Sequence, residues 1–260
     1  MRKHFSAVAA LVTVIILFSA AFLFAETRQT APGTITGVIE LIGGGPMTGG
    51  TVFFFDEGAG PPPSATKYWR VPTQAFPIDK QARFTAVLPE GAYYLGAIQR
   101  KSGDDLGPPQ EGDYFFISQD AEGRPKKLTV WKGSTTDLGT VAEAAPFRRA
   151  SLANKGITSV SGTIRDEQGK PREGMVVFAF ASPSMFGRPL FVSERSDKNG
   201  GYILRVAGSG KYYLRARADY GGGPPASGEF MGVYQKGKPV VTTQGRTLKN
   251  VNITLYVVGR

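Results

Sequence analysis

Along most of this chain, apolar residues recur at every second position in short runs, and clusters of Gly, Pro, Asn and Asp separate the runs. In Tyr212-Tyr213-Leu214-Arg215-Ala216-Arg217, Leu214 and Ala216 fall on one face and Arg215 and Arg217 on the other, the signature of a half-buried strand. Val251 to Val257 alternates in the same way, and Leu138-Gly-Thr-Val141 reads as its counterpart. Val52, Phe53, Phe54 and Phe55, and again Val176, Val177, Phe178 and Phe180, are the β-branched and aromatic types that strands favour. Asp197-Lys-Asn199-Gly200, Glu167-Gln-Gly169-Lys-Pro171 and Gly43-Gly-Gly45-Pro46 supply turn chemistry between the runs. After residue 26 no window carries a sustained helical period. The nearest, Val141 to Ala153, is broken by Pro146. The pattern predicts an all-β protein of short strands in two face-to-face sheets.

The chain also aligns with itself. Ile35-Thr-Gly37-Val-Ile39 returns as Val160-Ser-Gly162-Thr-Ile164. Gly45-Pro46 to Phe55 returns as Lys170-Pro171 to Phe180, and Asp79-Lys80 to Phe84 as Asp197-Lys198 to Tyr202. Gly91-Ala-Tyr93-Tyr94-Leu95 matches Gly210-Lys-Tyr212-Tyr213-Leu214. Gly107-Pro108-Pro109-Gln-Glu-Gly112-Asp113-Tyr114 matches Gly223-Pro224-Pro225-Ala-Ser-Gly228-Glu229-Phe230. Two tandem Greek-key β-sandwiches follow, over 33–142 and 158–260, with 143–157 as a linker.

The first 25 residues are a separate object. Arg2, Lys3 and His4 precede an uncharged run, Phe5 to Ala25, that ends in small residues. This is the pattern of a secretory signal, with cuts after Ala21 or Ala25 both allowed. Left uncut, residues 5–25 are long enough to anchor the chain in a bilayer. Either way the remainder is exported, to the periplasm or to the extracellular surface.

Charge and missing residues narrow the function. With Arg2 and Lys3 set aside, 29 of the 31 basic residues face 21 acidic ones, a net charge of +8. The basic residues are scattered, which disfavours nucleic acid and leaves attraction to an anionic surface or an acidic partner. The chain has no Cys, so no disulfide and no thiolate nucleophile. Its one His is His4, so beyond the leader no Ser-His-Asp triad or His-ligated zinc can be built. We therefore expect no enzyme and no cofactor.

Val160-x-Gly162-x-Ile164, Gly169-x-Pro171, Gly174-x-x-Val177-Phe178, Asp197-x-Asn199-Gly200-x-Tyr202 and Gly210-x-Tyr212-x-Leu214 together resemble a carboxypeptidase regulatory-like domain. That superfamily includes transthyretin-like (prealbumin-like) domains and is close in fold to starch-binding modules. The second copy matches over its whole length. The first departs at Gln81-Ala82, where the family has Asn-Gly, which weakens that turn. The resemblance implies a small sandwich of secreted or envelope proteins that folds, spaces or interacts, and it carries no catalytic residues.

Two groups of residues are candidate sites. The repeated Pro-Pro loop ends in the matched pairs Asp113-Tyr114 and Glu229-Phe230, and with Asp104, Asp105 and Asp219 nearby it is a weak calcium candidate. The plainer reading is solvated acids in an exposed loop. Tyr68-Trp69, in a Pro-rich insertion, and Tyr114 are aromatics that can stack on sugar rings. Trp131, beside Val130, reads as packing. The leading expectation is a structural or interaction module for an envelope or extracellular protein partner. The alternatives are a polysaccharide-binding module and an accessory subunit of a surface assembly.

Overall fold

The computed structural model describes residues 31–101, 106–220 and 224–259. The leader, with its signal or anchor reading, lies outside them, as do Asp104 and Asp105. No helix among the described residues is long and apolar enough to cross a membrane.

The first sandwich comprises β1 (Gly33–Leu41), β2 (Thr51–Asp56), β3 (Gln74–Pro77), β4 (Arg83–Leu88), β5 (Gly91–Gln99), β6 (Tyr114–Ile117), β7 (Lys127–Val130) and β8 (Thr135–Pro146). One sheet runs β4-β1-β8, with β1 antiparallel to β4 and parallel to β8. The other runs β3-β2-β5-β6, with β7 on the same edge of β5 as β6. Strand β8 belongs to both sheets. It starts beside β1 and ends opposite β6, pairing Tyr114 with Pro146. Two register shifts against β1 bend it, one of them next to Gly139 at φ +63°. The first sandwich therefore runs to Pro146. The segment from 143, read as linker, begins as strand because the alternation of Val141 to Ala145 continues the ladder.

The second sandwich repeats the plan with β9 (Thr158–Asp166), β10 (Val176–Phe180), β11 (Phe191–Val192), β12 (Gly201–Val206), β13 (Gly210–Arg217), β14 (Phe230–Val233), β15 (Val240–Thr242), β16 (Thr247–Leu248) and β17 (Ile253–Val257). Here the strand parallel to the first one is split. β16 and β17 both pair with β9, and the chain turns between them at Asn250, φ +64°.

Each sandwich has its own core. Ile35, Phe54, Phe84, Leu88 and Leu95 centre the first, and Val160, Ile164, Leu204, Leu214 and Leu255 the second. The motif glycine Gly162 is set by close approach, since a Cβ there would stand 2.0 Å from the Val251 carbonyl oxygen. The Tyr202 hydroxyl donates to that same oxygen at 2.7 Å. In the turn that precedes Tyr202, Asp197 Oδ1 accepts from Asn199 and Gly201 N–H. Asp79 Oδ1 accepts from Gln81 and Arg83 N–H in the first copy. There Ala82 takes the left-handed conformation at φ +59° that Gly200 holds at +75° in the second, so the departure at Gln81-Ala82 leaves the turn's bonds in place.

Candidate functional site: the cleft between the sandwiches

Strands β2 and β10 occupy matched places and are buried on both faces. Val52 and Phe54 point into the first core, while Phe53 and Phe55 point away from it. Val177 and Ala179 point into the second core, while Val176, Phe178 and Phe180 point away. A sheet face turned from its own core normally meets water and carries polar residues. These faces are apolar because the insertion of the first copy, the stretch between β2 and β3, covers them and carries the first sandwich onto the second.

That insertion is laced to the second sandwich by backbone bonds. Val192 N–H donates to the Trp69 carbonyl at 3.1 Å, and Val71 N–H donates to the Leu190 carbonyl at 2.9 Å. Residues 69–71 thus add a short antiparallel rung to β11, with Arg70 opposite Phe191. Arg70 is 6% exposed. Its Nη1 donates to the Pro61 carbonyl at 2.6 Å, its Nη2 donates to the Asp56 carbonyl, and its guanidinium lies 5.5 Å from the centre of the Phe55 ring. Burial lowers its pKa from the ordinary arginine value, an effect that the neighbouring Tyr68 and Asp56 oppose. Farther along, Ala153 N–H donates to the Thr66 carbonyl, and Arg149 pairs with Glu194 at 2.5 Å.

Two of the three aromatics read as a stacking platform, Tyr68 and Trp69, are therefore interface residues. Trp69 is 6% exposed and meets Phe115 and Phe147 edge-on, at 6.2 and 5.8 Å between ring centres. Neither face of its indole is open to a sugar. Tyr68 packs edge-on against Phe191 and donates its hydroxyl to the Pro62 carbonyl at 2.5 Å. Burial, more than any neighbouring charge, raises its pKa.

The matched loop acids are also internal, contrary to the reading of solvated side chains. Asp113 is fully buried, accepting from Lys101 N–H at 2.8 Å and Gln110 N–H at 2.9 Å while pairing with Arg100 at 3.2 Å. Glu229 accepts from Ala226 N–H at 3.0 Å and takes both Arg217 Nε at 2.8 Å and Nη2 at 3.0 Å. Each carboxylate closes its own Pro-Pro loop by holding the N–H three residues back. The arginines are not equivalent in register. Arg100 stands opposite Asp113 one step past the Gln99–Tyr114 pair, whereas Arg217 pairs with Met231, two positions earlier along its strand. A two-residue step keeps the same face, so the clamp survives the change. Tyr114 lies under Lys101 Nζ at 4.2 Å and Phe230 under the Arg172 guanidinium at 3.9 Å. The structure does not gather these six residues into one site. They form two separate loop clamps and one interface rung.

Asp219 is exposed, and among the described residues no group of three metal-ligating side chains occurs. Trp131, read as packing, is 61% exposed, and Phe186 is 88% exposed. What sequence reasoning missed is the cleft itself. Its signal was present in the runs Val52–Phe55 and Val176–Phe180, which are too continuously apolar for strands with one wet face.

No family model matches the chain, and no curated protein matches it. Solved structures similar to it include the Bacillus anthracis TIE protein, at 14% identity and TM-score 0.27, covering 88% of this chain and 34% of that one. Others are a streptococcal ancillary pilin, at 13% identity and TM-score 0.24, covering 89% and 64%, and the shaft pilin SpaA of Lactobacillus rhamnosus GG, at 11% and 0.23, covering 88% and 99%. The chain thus spans under two thirds of the first two. Its fold rests on its own strand order: two tandem Greek-key β-sandwiches of the Ig-like or prealbumin-like kind.

Proposed function

We propose that this chain is a non-catalytic, exported module of the envelope or extracellular surface, built as one stiff unit to hold or space a protein partner. The observation that carries the reading is the lacing of residues 69–71 onto β11, which joins two sandwiches through backbone bonds and a shared aromatic layer. A linker that let two domains swing would leave that layer in water. The motif glycine at 162 and the Asp197 turn support membership of the carboxypeptidase regulatory-like superfamily, whose modules are non-catalytic.

Phe186, 88% exposed, is the most exposed of the large apolar side chains among the described residues, and we assign the partner contact to it. An accessory subunit of a surface assembly is the form of this reading that fits a chain of two stiff modules. Photo-crosslinking from position 186 in intact envelopes, with mass spectrometry of the products, tests it. One dominant protein adduct supports an interaction module. Recovery of glycan alone would overturn it in favour of a polysaccharide-binding module using Trp131, the exposed tryptophan.

A further inference from the structure

Each sheet path ends in two outer strands, β3 and β4 in the first sandwich and β11 and β12 in the second. An outer strand offers unpaired backbone groups to another chain unless something guards it. Strand β3 is short and ends in Pro77, and β11 is taken by residues 69–71. Strand β12 carries Arg205. Strand β4, Arg83-Phe84-Thr85-Ala86-Val87-Leu88, has no Pro and no bulge against β1, and its one charge stands at its first residue.

Ile39 N–H donates to the Ala82 carbonyl at 2.9 Å, which makes Ile39–Ala82 a hydrogen-bonded pair at the end of the β1–β4 ladder. Bonded and non-bonded pairs alternate along antiparallel strands, so Gly37–Phe84 and Ile35–Ala86 are bonded pairs, whereas Thr36–Thr85 and Thr34–Val87 are not. The N–H and C=O of Thr85 and of Val87 therefore point away from β1, and among the described residues no other strand pairs with β4. Arg83, next in this series, is already used. Its N–H donates to Asp79 Oδ1 at 2.8 Å, and its carbonyl accepts from Asp79 N–H at 2.9 Å. The side chains of Thr85 and Val87 are exposed on the outer face of the sheet.

We propose that β4 pairs antiparallel with β4 of a second copy of this chain about a two-fold axis at Ala86, joining the two sheets edge to edge. With Thr85 of one copy opposite Val87 of the other, the free groups of both copies meet in four hydrogen bonds, and none is left over. Other registers do worse. Centring on Thr85 sets Val87 against Arg83, whose backbone is used, and centring on Val87 sets Thr85 against Pro89, which has no N–H. The chosen register also carries the β-branched rows Thr36–Thr85 and Thr34–Val87 on across the axis. It sets each Arg83 opposite Pro89, which keeps the two arginines about 20 Å apart. Strand β12 has the same geometry, with its free groups on Ile203 and Arg205. Self-pairing there would make the two Arg205 positions diagonal neighbours about 7–8 Å apart, so like charge guards that edge. The β4 edge uses neither Phe186 nor the layer between the sandwiches, so this pairing and the proposed partner contact fail separately.

Sedimentation equilibrium of the full chain should show a weak, reversible dimer, in keeping with so small an interface. Every variant carries the same leader, so differences between variants report the edge. Val87→Pro deletes an N–H that β1 does not use; the dimer loses two of its four bonds and should weaken about tenfold. Thr85→Glu and Val87→Lys, both at exposed positions, each set like charges diagonally across the axis and should weaken self-association by a similar factor. Mixed in equal amounts, these two variants should associate again, because the new acid stands opposite the new lysine. Ile203→Lys, on the other edge, should leave the dimer unchanged. Urea unfolding of each variant separates loss of pairing from loss of fold. Four results would overturn the proposal: a monomer at every concentration up to about 1 mM, growth into open-ended polymers, no recovery on mixing, or loss of the dimer in Ile203→Lys.

Discussion

Single side chains in this protein do most of their work by closing loops. Asp113 accepts two backbone N–H groups and an arginine while fully buried, and removing it would leave the Arg100 guanidinium, still bonded to the Gly107 and Pro108 carbonyls, without its counter-charge. Asp113→Ala should therefore cost about 3–5 kcal/mol in urea unfolding, the usual penalty for breaking a buried pair from one side. Glu229 adds a pH dependence of known sign. The hydrogen bonds from Arg217, and with them the Ala226 N–H, hold its carboxyl below the ordinary value despite partial burial. Its contribution is thus complete above the unfolded value of about 4.3 and is lost as pH falls through the lower folded value. Below that pH the urea midpoint of the unaltered protein should fall more steeply than that of Glu229→Gln. Gly162 is the third case: a methyl group 2.0 Å from the Val251 oxygen cannot be housed without moving a strand. Gly162→Ala should lower the urea midpoint more than any exposed Gly→Ala change, such as one at Gly58. Both acids and the glycine are visible in the sequence as matched positions. Their roles are not, because the partner of each lies on a strand whose register the residue pattern does not state.

Among the elements, the strands were legible and the insertion was not. Period-two alternation marks β13 and β17: β17 buries the face it assigns, and β13 buries Leu214 and Ala216 as expected but also Arg217, drawn in by its pair with Glu229. The Pro-rich insertion that carries Tyr68-Trp69 reads as a loop, its aromatics able to stack on sugar, since Gly and Pro break both kinds of ladder. Only the second sandwich turns residues 69–71 into a strand rung, and a contact 120 residues away leaves no local signature. The rung itself can be tested by removing one donor. Val71→Pro deletes the N–H that reaches the Leu190 carbonyl and should cost about 1–3 kcal/mol, the price of a buried acceptor left unpaired. Val71→Ala, which keeps the N–H, should cost less, a comparison that chemical denaturation of the two variants settles.

In the whole molecule, two cores that are complete in themselves share a third apolar layer. Trp69, Phe147 and Leu152 meet Val176, Phe178 and Val192 there, with residues from both copies. Burial of that layer couples the two halves, so heating should give one cooperative transition. Trp69→Ala removes the residue at its centre at a cost of about 3–5 kcal/mol. Calorimetry of that variant should show two transitions, one for each sandwich. The duplication foretold two similar modules, but nothing in either copy alone tells that their outer faces meet.

The parallel pairing of first and last strands has a mechanical consequence. In each sandwich the chain enters along β1 or β9 and leaves along β8 or β17, and these neighbours run side by side in the same direction. Tension along the polypeptide then draws the paired strands lengthwise past each other. All the bonds between them carry load together, and none can open first like a zip. Two such clamps in series would shear rather than unzip under a pull along the chain.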